Sequence, residues 1–196
     1  MGDALLASQY SSVPVINAGD GSGEHPTQAL LDLYTVSKEF PQMFSDAPLQ
    51  VTFVGDLRYG RTVHSLSLLL RNFPNVRISF VAPEHLNLPE EYRSESDTFS
   101  TVLSDELLAS SDVIYMTRVQ KERFGDLAAY DAVKDLFVFD TTTVGKMKSS
   151  AILMHPLPRV NEISLEVDSL PQARYFEQAR NGVPIRMALI KYCLES

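Results

Sequence analysis

Residues 51–64, Val51-Thr52-Phe53-Val54-Gly55-Asp56-Leu57-Arg58-Tyr59-Gly60-Arg61-Thr62-Val63-His64, constrain this chain more than any other stretch. A β-branched apolar run breaks at two glycines and restarts with Leu66, Leu69 and Leu70 at helical spacing. The pattern predicts a strand, a loop and a helix, with Asp56, Arg58 and Arg61 in the loop at the strand's carboxyl end. Open α/β sheets bind ligands at that edge. A helix amino terminus favours anions, and an arginine there adds a planar fork of donors matched to a carboxylate or phosphate. The unit therefore reads as an anion site. Taken alone, it also fits an ordinary surface arginine beside a turn.

The rest of the chain repeats this alternation. A helical scrap is expected over residues 1–10 and a short buried strand over 13–17. A Gly-rich turn then leads into a helix opened by Pro26, with Ala29, Leu30, Leu33 and Tyr34 on its apolar face. That helix should fade near Phe40-Pro41, leaving 41–48 as a linker. Strands are expected over 76–82, 98–103, 112–117, 136–140 and 151–154. A Pro-punctuated loop holding a short helix is expected over 84–93, and a helix capped by Ser104 follows the third of the chain's main strands. Helices are expected over 173–179 and 184–194, interrupted by Asn181-Gly182. Strands alternating with helices imply an α/β fold with a mostly parallel sheet. Three strands end on polar clusters, Asp56/Arg58/Arg61, Thr117/Arg118/Gln120/Arg123 and His155/Arg159, which a parallel sheet can bring to one edge.

Composition excludes several classes. At 196 residues the chain has the mass for one large or two small domains. A net charge of −8 and the absence of a basic run interleaved with aromatics argue against nucleic acid as a partner. An anionic ligand would have to be held by local arginine geometry against that global field. The single Cys193 rules out an internal disulfide framework and a cysteine-based metal site, and suits a reducing compartment. No apolar run approaches the roughly 20 residues of a membrane span, so no membrane partner is expected. The amino-terminal residues lack a signal-peptide pattern, and the cytoplasm is the expected compartment.

Four stretches carry a resemblance: His25-Pro26-Thr27-Gln28, residues 55–64, Tyr115-Met116-Thr117-Arg118-Val119-Gln120-Lys121-Glu122-Arg123, and His155-Pro156-Leu157-Pro158-Arg159. In order and spacing the chain resembles the aspartate carbamoyltransferase catalytic chain over essentially its whole length. The resemblance implies a doubly wound, mostly parallel α/β sheet flanked by helices, with the amino-terminal half-domain missing. It divides the chain into 1–40, a remnant of the carbamoyl-phosphate domain and interdomain helix; 41–180, the aspartate-binding domain; and 181–196, a helix crossing back. It implies transfer of the carbamoyl group of carbamoyl phosphate to L-aspartate, releasing phosphate, in pyrimidine biosynthesis. By motif match, Arg61 would hold the α-carboxylate of aspartate and Arg118 its side-chain carboxylate. Gln120 would lie beside Arg118 and help set its geometry, with Asp56 and Arg123 in support. Two separated guanidinium forks suit a dicarboxylate as lysines would not. Read without the resemblance, Arg118 is equally a loop arginine paired with Glu122 or Asp126.

The same match assigns the carbamoyl group to His25, as an oxyanion-stabilising donor, and to Gln28, as acceptor for the carbamoyl amide. Backbone carbonyls around Pro156, Leu157 and Pro158 would hold the amides of the reacting groups, stiffened by proline. Singly, His25 reads as a helix-start histidine. His64 and His155 are expected to be structural. No metal or cofactor is called for, and the expected partners are the two substrates and a homotrimer of catalytic chains. Regulatory subunits or fused pyrimidine enzymes are left open.

The chain also departs from the family pattern. The Ser-Thr-Arg-Thr phosphate loop, a further arginine and the Ser/Lys loop that reaches a neighbouring subunit are absent from these residues. Residues 13–17 resemble the last strand of the missing half-domain. Met187, Leu189, Ile190 and Cys193 would then lack a packing partner and leave an apolar patch. Asn161 stands where the family usually has Asp. The alternative function is a non-catalytic aspartate-binding or assembly fragment. Ornithine carbamoyltransferase ranks below both, since that family usually carries a cysteine where this chain has His155-Pro156-Leu157-Pro158. A nucleotide-binding Rossmann domain ranks lower still, because residues 55–60 do not give Gly-x-Gly-x-x-Gly.

Overall fold

In the computed structural model, which describes residues 2–21, 23–120, 124–125 and 127–195, five parallel strands form one sheet in the order β3-β2-β1-β4-β5. Along the chain the elements are α1 (Asp3–Tyr10), α2 (Pro26–Glu39), β1 (Leu49–Val54), α3 (Arg61–Leu70), β2 (Val76–Val81) and β3 (Thr98–Ser100). Then follow α4 (Asp105–Ser110), β4 (Val113–Met116), α5 (Leu127–Asp131), α6 (Thr141–Val144), β5 (Ile152–Met154) and α7 (Tyr175–Glu195). The register aligns Val54 at the end of β1 with Val81 of β2 and Met116 of β4, so the carboxyl ends share one edge.

The period-2 alternation of each strand sorts its side chains between two cores. Val51, Phe53, Val113, Tyr115, Ile152 and Met154 point to one face, under α2 and α3, with Val63, Leu66 and Leu70. Val54, Ile114, Met116 and Leu153 point to the other, with Leu108, Val144, Phe139 and Tyr175. A sheet buried on both faces explains why its strands read as near-continuous apolar runs.

Several local expectations hold for physical reasons visible in the packing. Pro26 opens α2 at its first turn, and Ser104 Oγ accepts the Leu107 amide at 3.2 Å, capping α4. The loop over 84–93 contains two single 3-10 turns, Glu84–Leu86 and Glu90–Tyr92.

Others are corrected. Residues 13–17 form no strand: Val13 is 66% exposed and, among the described residues, no neighbouring strand offers the segment a ladder. Residues 136–140 do not join the sheet. Phe139 makes one parallel bridge to Ile163, and Asp140 turns the chain by accepting the Thr143 amide at 2.7 Å to cap α6. The linker over 41–48 contains a 3-10 turn, Pro41–Phe44, that buries Met43. Asn181-Gly182 does not interrupt α7, which runs 21 residues with Pro184 inside it. Helix α2 crosses here: Asn181 donates to Thr35 Oγ1 at 2.9 Å, and a Cβ on Gly182 would sit 2.4 Å from Arg186 Nη1 of the same helix and 3.3 Å from Leu31 Cδ2. Glycine serves close helix approach at this point, and the buried contact outweighs its poor helix propensity.

Beyond that crossing α7 carries an exposed apolar stripe, Val183, Met187, Ile190 and Leu194, each at least half exposed and spaced along one face. Leu189 and Cys193 are only partly exposed. Among the described residues, no helix is long and apolar enough to cross a membrane.

Candidate active site

The strand order reverses between β1 and β4, and the crevice outside their carboxyl ends is the switch point where open α/β sheets bind ligands. Gly55 allows the two strand ends to close there. Its φ is 115°, and a Cβ on it would lie 2.2 Å from the Thr117 carbonyl oxygen. Thr117 bonds back across the gap: its amide donates to Val54 O at 2.9 Å and its hydroxyl lies 3.2 Å from both Val54 O and Asp56 O.

From this junction the two loops diverge into a cavity of about 480 Å³. The loop after β1 contributes Tyr59, Gly60 and Arg61, and the loop after β4 contributes Thr117, Arg118 and Gln120. The loop after β5 supplies His155, Pro156, Leu157 and Pro158, while Gly21, His25 and Gln28 close it from the amino end of α2. His25, Gln28, Arg61, Arg118, Gln120, Pro156, Leu157 and Pro158, singled out in the sequence, thus line one cavity.

Buried groups behind the lining hold each loop. Asp56 is fully buried; its carboxylate accepts the Tyr59 amide at 3.0 Å and faces the Gln120 amide at 3.5 Å. Burial pushes the Asp56 carboxyl above the usual carboxylate range against those backbone bonds. Gln120 Nε2 donates to Tyr59 O at 3.2 Å, so Asp56 and Gln120 tie the loops after β1 and β4 together. Asp56 supports Gln120 through its backbone. Arg123, Glu122 and Asp126 lie outside the described residues.

The amide of His25 donates to Ser65 Oγ at 2.8 Å, pinning the start of α2 to α3, and its Nδ1 lies 3.4 Å from Thr27 Oγ1. Partial burial, with Arg61 and Arg186 nearby, lowers the His25 pKa to about 4, so the ring is neutral at physiological pH. Arg61 Nη1 sits 3.4 Å from Gly21 O, across the loop that precedes α2.

His64 and His155 are structural in placement. His64 is buried, stacked on Tyr92 at 4.2 Å, with ring nitrogens 3.0 Å from Gly23 O and 2.9 Å from Leu57 O. His155 lines the cavity but is 1% exposed; its Nε2 meets Glu162 Oε1 at 2.8 Å and its Nδ1 accepts the Leu157 amide at 2.8 Å. The imidazole thereby ties down the following turn, in which Leu157 has φ 55° and the Leu157–Pro158 peptide is cis. Burial pushes Glu162 up, but the His155 bond and backbone amides hold it below its ordinary value. Among the described residues no group of His, Cys, Asp or Glu is arranged to hold a metal.

Two arginines of the sequence clusters point elsewhere. Arg58 is exposed and donates to His85 O at 3.3 Å. Arg159 pairs with Asp168, Nη2 to Oδ2 at 2.6 Å, and donates to Tyr175 Oη at 3.0 Å, fixing the start of α7. Sequence reasoning missed Asp32, which is fully buried beneath Gln28 and accepts its Nε2 at 2.9 Å. The signal was available: Gln28 and Asp32 stand at i,i+4, on the same face of α2 as the apolar Ala29, Leu31 and Val36 that it buries.

A parallel sheet whose switch point is lined by two arginines, two glutamines and a neutral histidine defines a class, the α/β domain with a site suited to an anionic small molecule. Comparison narrows the class to one group of enzymes. The aspartate/ornithine carbamoyltransferase Asp/Orn binding domain matches residues 47–193, and the carbamoyl-P binding domain of the same family matches residues 2–38. The chain belongs to the aspartate/ornithine carbamoyltransferase family. It is 50% identical over 193 residues to the aspartate carbamoyltransferase catalytic subunit of Thermoplasma acidophilum, covering 96% of this chain and 62% of that protein. The Methanocaldococcus jannaschii catalytic subunit is 49% identical, with 99% and 63% covered. In three dimensions the chain matches the catalytic subunit of M. jannaschii aspartate transcarbamoylase with TM-score 0.84 and 47% identity, over 100% of this chain and 64% of the other. The Trypanosoma cruzi enzyme in complex with carbamoyl phosphate and aspartate matches with TM-score 0.85 and 37% identity, over 96% and 63%. The chain therefore spans a little over three-fifths of these relatives.

Proposed function

We propose that this protein carries the aspartate-binding half of an aspartate carbamoyltransferase and, with a phosphate-binding half, transfers a carbamoyl group from carbamoyl phosphate to L-aspartate. The convergence of Arg61, Arg118, Gln120, His25, Gln28 and the 156–158 turn on one cavity carries the reading. Arg61 holds the α-carboxylate and Arg118 the side-chain carboxylate, each charge-assisted contact contributing about 1.5–3 kcal/mol. The clamp sets the α-amine toward the carbamoyl carbon, where positioning accounts for up to about 7–11 kcal/mol of barrier reduction.

The amine nitrogen bonds to the carbamoyl carbon, giving a tetrahedral intermediate whose oxygen takes the carbonyl electron pair. Neutral His25, accepting from Thr27 at Nδ1, keeps its proton on Nε2 and donates it as a hydrogen bond to that oxygen. Gln28 Oε1 and the carbonyls of the 156–158 turn accept from the carbamoyl amide and the attacking amine. The carbon–oxygen bond to phosphate then breaks, the electron pair leaves with phosphate, and a phosphate oxygen takes the amine proton. No covalent enzyme species is needed.

The exposed stripe on α7 supports packing against a further half-domain, and the resemblance extends to a cytoplasmic homotrimer. In the full-length protein Arg61→Ala or Arg118→Ala should raise the aspartate KM by orders of magnitude. Near-normal saturation by aspartate in either variant would overturn the assignment.

The span of the match favours one second reading, a non-catalytic aspartate-binding or assembly module, for these 196 residues alone. Carbamoyl aspartate formation by the isolated chain would defeat it.

A further inference from the structure

Beneath the cavity floor lies a carboxylate that the transfer chemistry does not use. Asp32 is fully buried on α2 and surrounded by donors from three elements. Its Oδ1 accepts Gln28 Nε2 at 2.9 Å and Gln178 Nε2 of α7 at 2.6 Å, and its Oδ2 accepts the Tyr115 hydroxyl of β4 at 2.7 Å. The other end of Gln178 is also engaged, its Oε1 accepting the His155 amide at 2.9 Å.

An ionised carboxylate can only accept, so both glutamines must turn their NH2 groups toward Asp32. For Gln28 this leaves Oε1, an acceptor, as the group available to the cavity. For Gln178 it leaves Oε1 for the backbone N–H that starts the 155–158 turn. One buried charge thus sets the polarity of two carboxamides, Gln28 in the cavity lining and Gln178 behind the 155–158 turn.

We propose that Asp32 is a positioning residue for carbamoyl transfer: its negative charge orients the Gln28 carboxamide as an acceptor toward the carbamoyl NH2 and, through Gln178, holds the 155–158 turn. The proposal rests on the carbamoyl-transfer reading above. A neutral carboxyl, or an asparagine, replaces one acceptor by a donor, which meets the glutamine NH2 groups at the Oδ1 position or the Tyr115 hydroxyl at the Oδ2 position. At Oδ1 it flips an amide, presenting NH2 to the carbamoyl NH2 or to the His155 N–H; at Oδ2 it leaves the two NH2 groups on one oxygen without the charge that holds them.

Proton uptake at Asp32 is a built-in form of the same perturbation. Burial raises its pKa to about 7, opposed by the hydrogen bonds from Tyr115, Gln178 and Gln28 and by the charge of Arg186 on α7. Thr62 on α3 bonds to Tyr115 behind it, and His25 at the start of α2 is neutral in this range.

The full-length protein tests this with Asp32→Asn, assayed separately against each substrate. The expected result is a loss of about 100-fold in kcat/KM for carbamoyl phosphate, the scale of an ångström-level misplacement, with the aspartate KM within about threefold. The wild-type profile should have an acidic limb near pH 7 that Asp32→Asn lacks. Tyr115→Phe removes one donor to the carboxylate while keeping the ring, and should move that limb to higher pH. An unmoved limb, or near-wild-type use of carbamoyl phosphate by Asp32→Asn, would overturn the proposal. Side-chain amide NMR signals of Gln28 and Gln178 give a readout independent of turnover. They should titrate together near pH 7 in the wild type. Absence of that titration refutes the orienting role, whereas an inactive wild type with intact titration refutes only the carbamoyl-transfer reading.

Discussion

Gly55→Ala tests whether the switch point is set by backbone closure. A methyl on residue 55 would sit 2.2 Å from Thr117 O and 2.8 Å from its hydroxyl, at a φ of 115° that L side chains rarely adopt. Strain of the backbone costs about 1–3 kcal/mol. The backbone oxygen in the way cannot swing aside, so the β1 and β4 ends must part. Thr117 then loses bonds to Val54 and Asp56, at about 1 kcal/mol each. The sum is about 3–5 kcal/mol. Urea unfolding of wild type and variant measures it, with Gly125→Ala as control, since nothing lies within 4 Å of a Cβ there. The control should stay within about 0.5 kcal/mol of wild type. A cost below about 1 kcal/mol for Gly55→Ala would refute the closure argument.

Two further outcomes follow from buried groups. Burial raises the Asp32 carboxyl pKa to about 7 in the native state, against an ordinary value of 3.8, so the native state holds the extra proton between those values. Stability should therefore fall as pH rises from about 4 to about 7, by up to about 4 kcal/mol, and the slope should shrink in Asp32→Asn. Denaturation midpoints across that range measure it, and an equal slope in both proteins would contradict the assignment. His155→Leu strands Glu162 and the Leu157 amide, and should destabilise the protein by about 3 kcal/mol in thermal or urea unfolding. A shift under about 1 kcal/mol would show that His155 does not hold the turn.

Local chemistry carried far through this chain. The apolar run over residues 49–54, the Gly55 break and the helix from Arg61 were readable because period-2 and 3.6-residue patterns are local properties. The parallel sheet followed from the alternation of such units, and with it the meeting of Arg61, Arg118 and His155 at one edge. What failed depended on neighbours. Residues 13–17 look like a strand but have no ladder among the described residues, and residues 136–140 give way to the Asp140 cap. Asn181-Gly182 reads as a helix stop, yet α2 crosses there and converts it into a packing contact.

The residues alone determined which side chains are on offer: cationic forks at Arg61 and Arg118 in the loops after β1 and β4, and a histidine and a glutamine where α2 begins. Only tertiary structure decided which of them matter together. Arg58 and Arg159 carry the same chemistry as Arg61, but the fold spends them on His85 O and Asp168. Asp32 matters because α7 and β4 bring Gln178 and Tyr115 onto it, a meeting that no local pattern shows. The reason is physical: donor type is written in the side chain, while orientation and ionisation depend on what the fold packs around it.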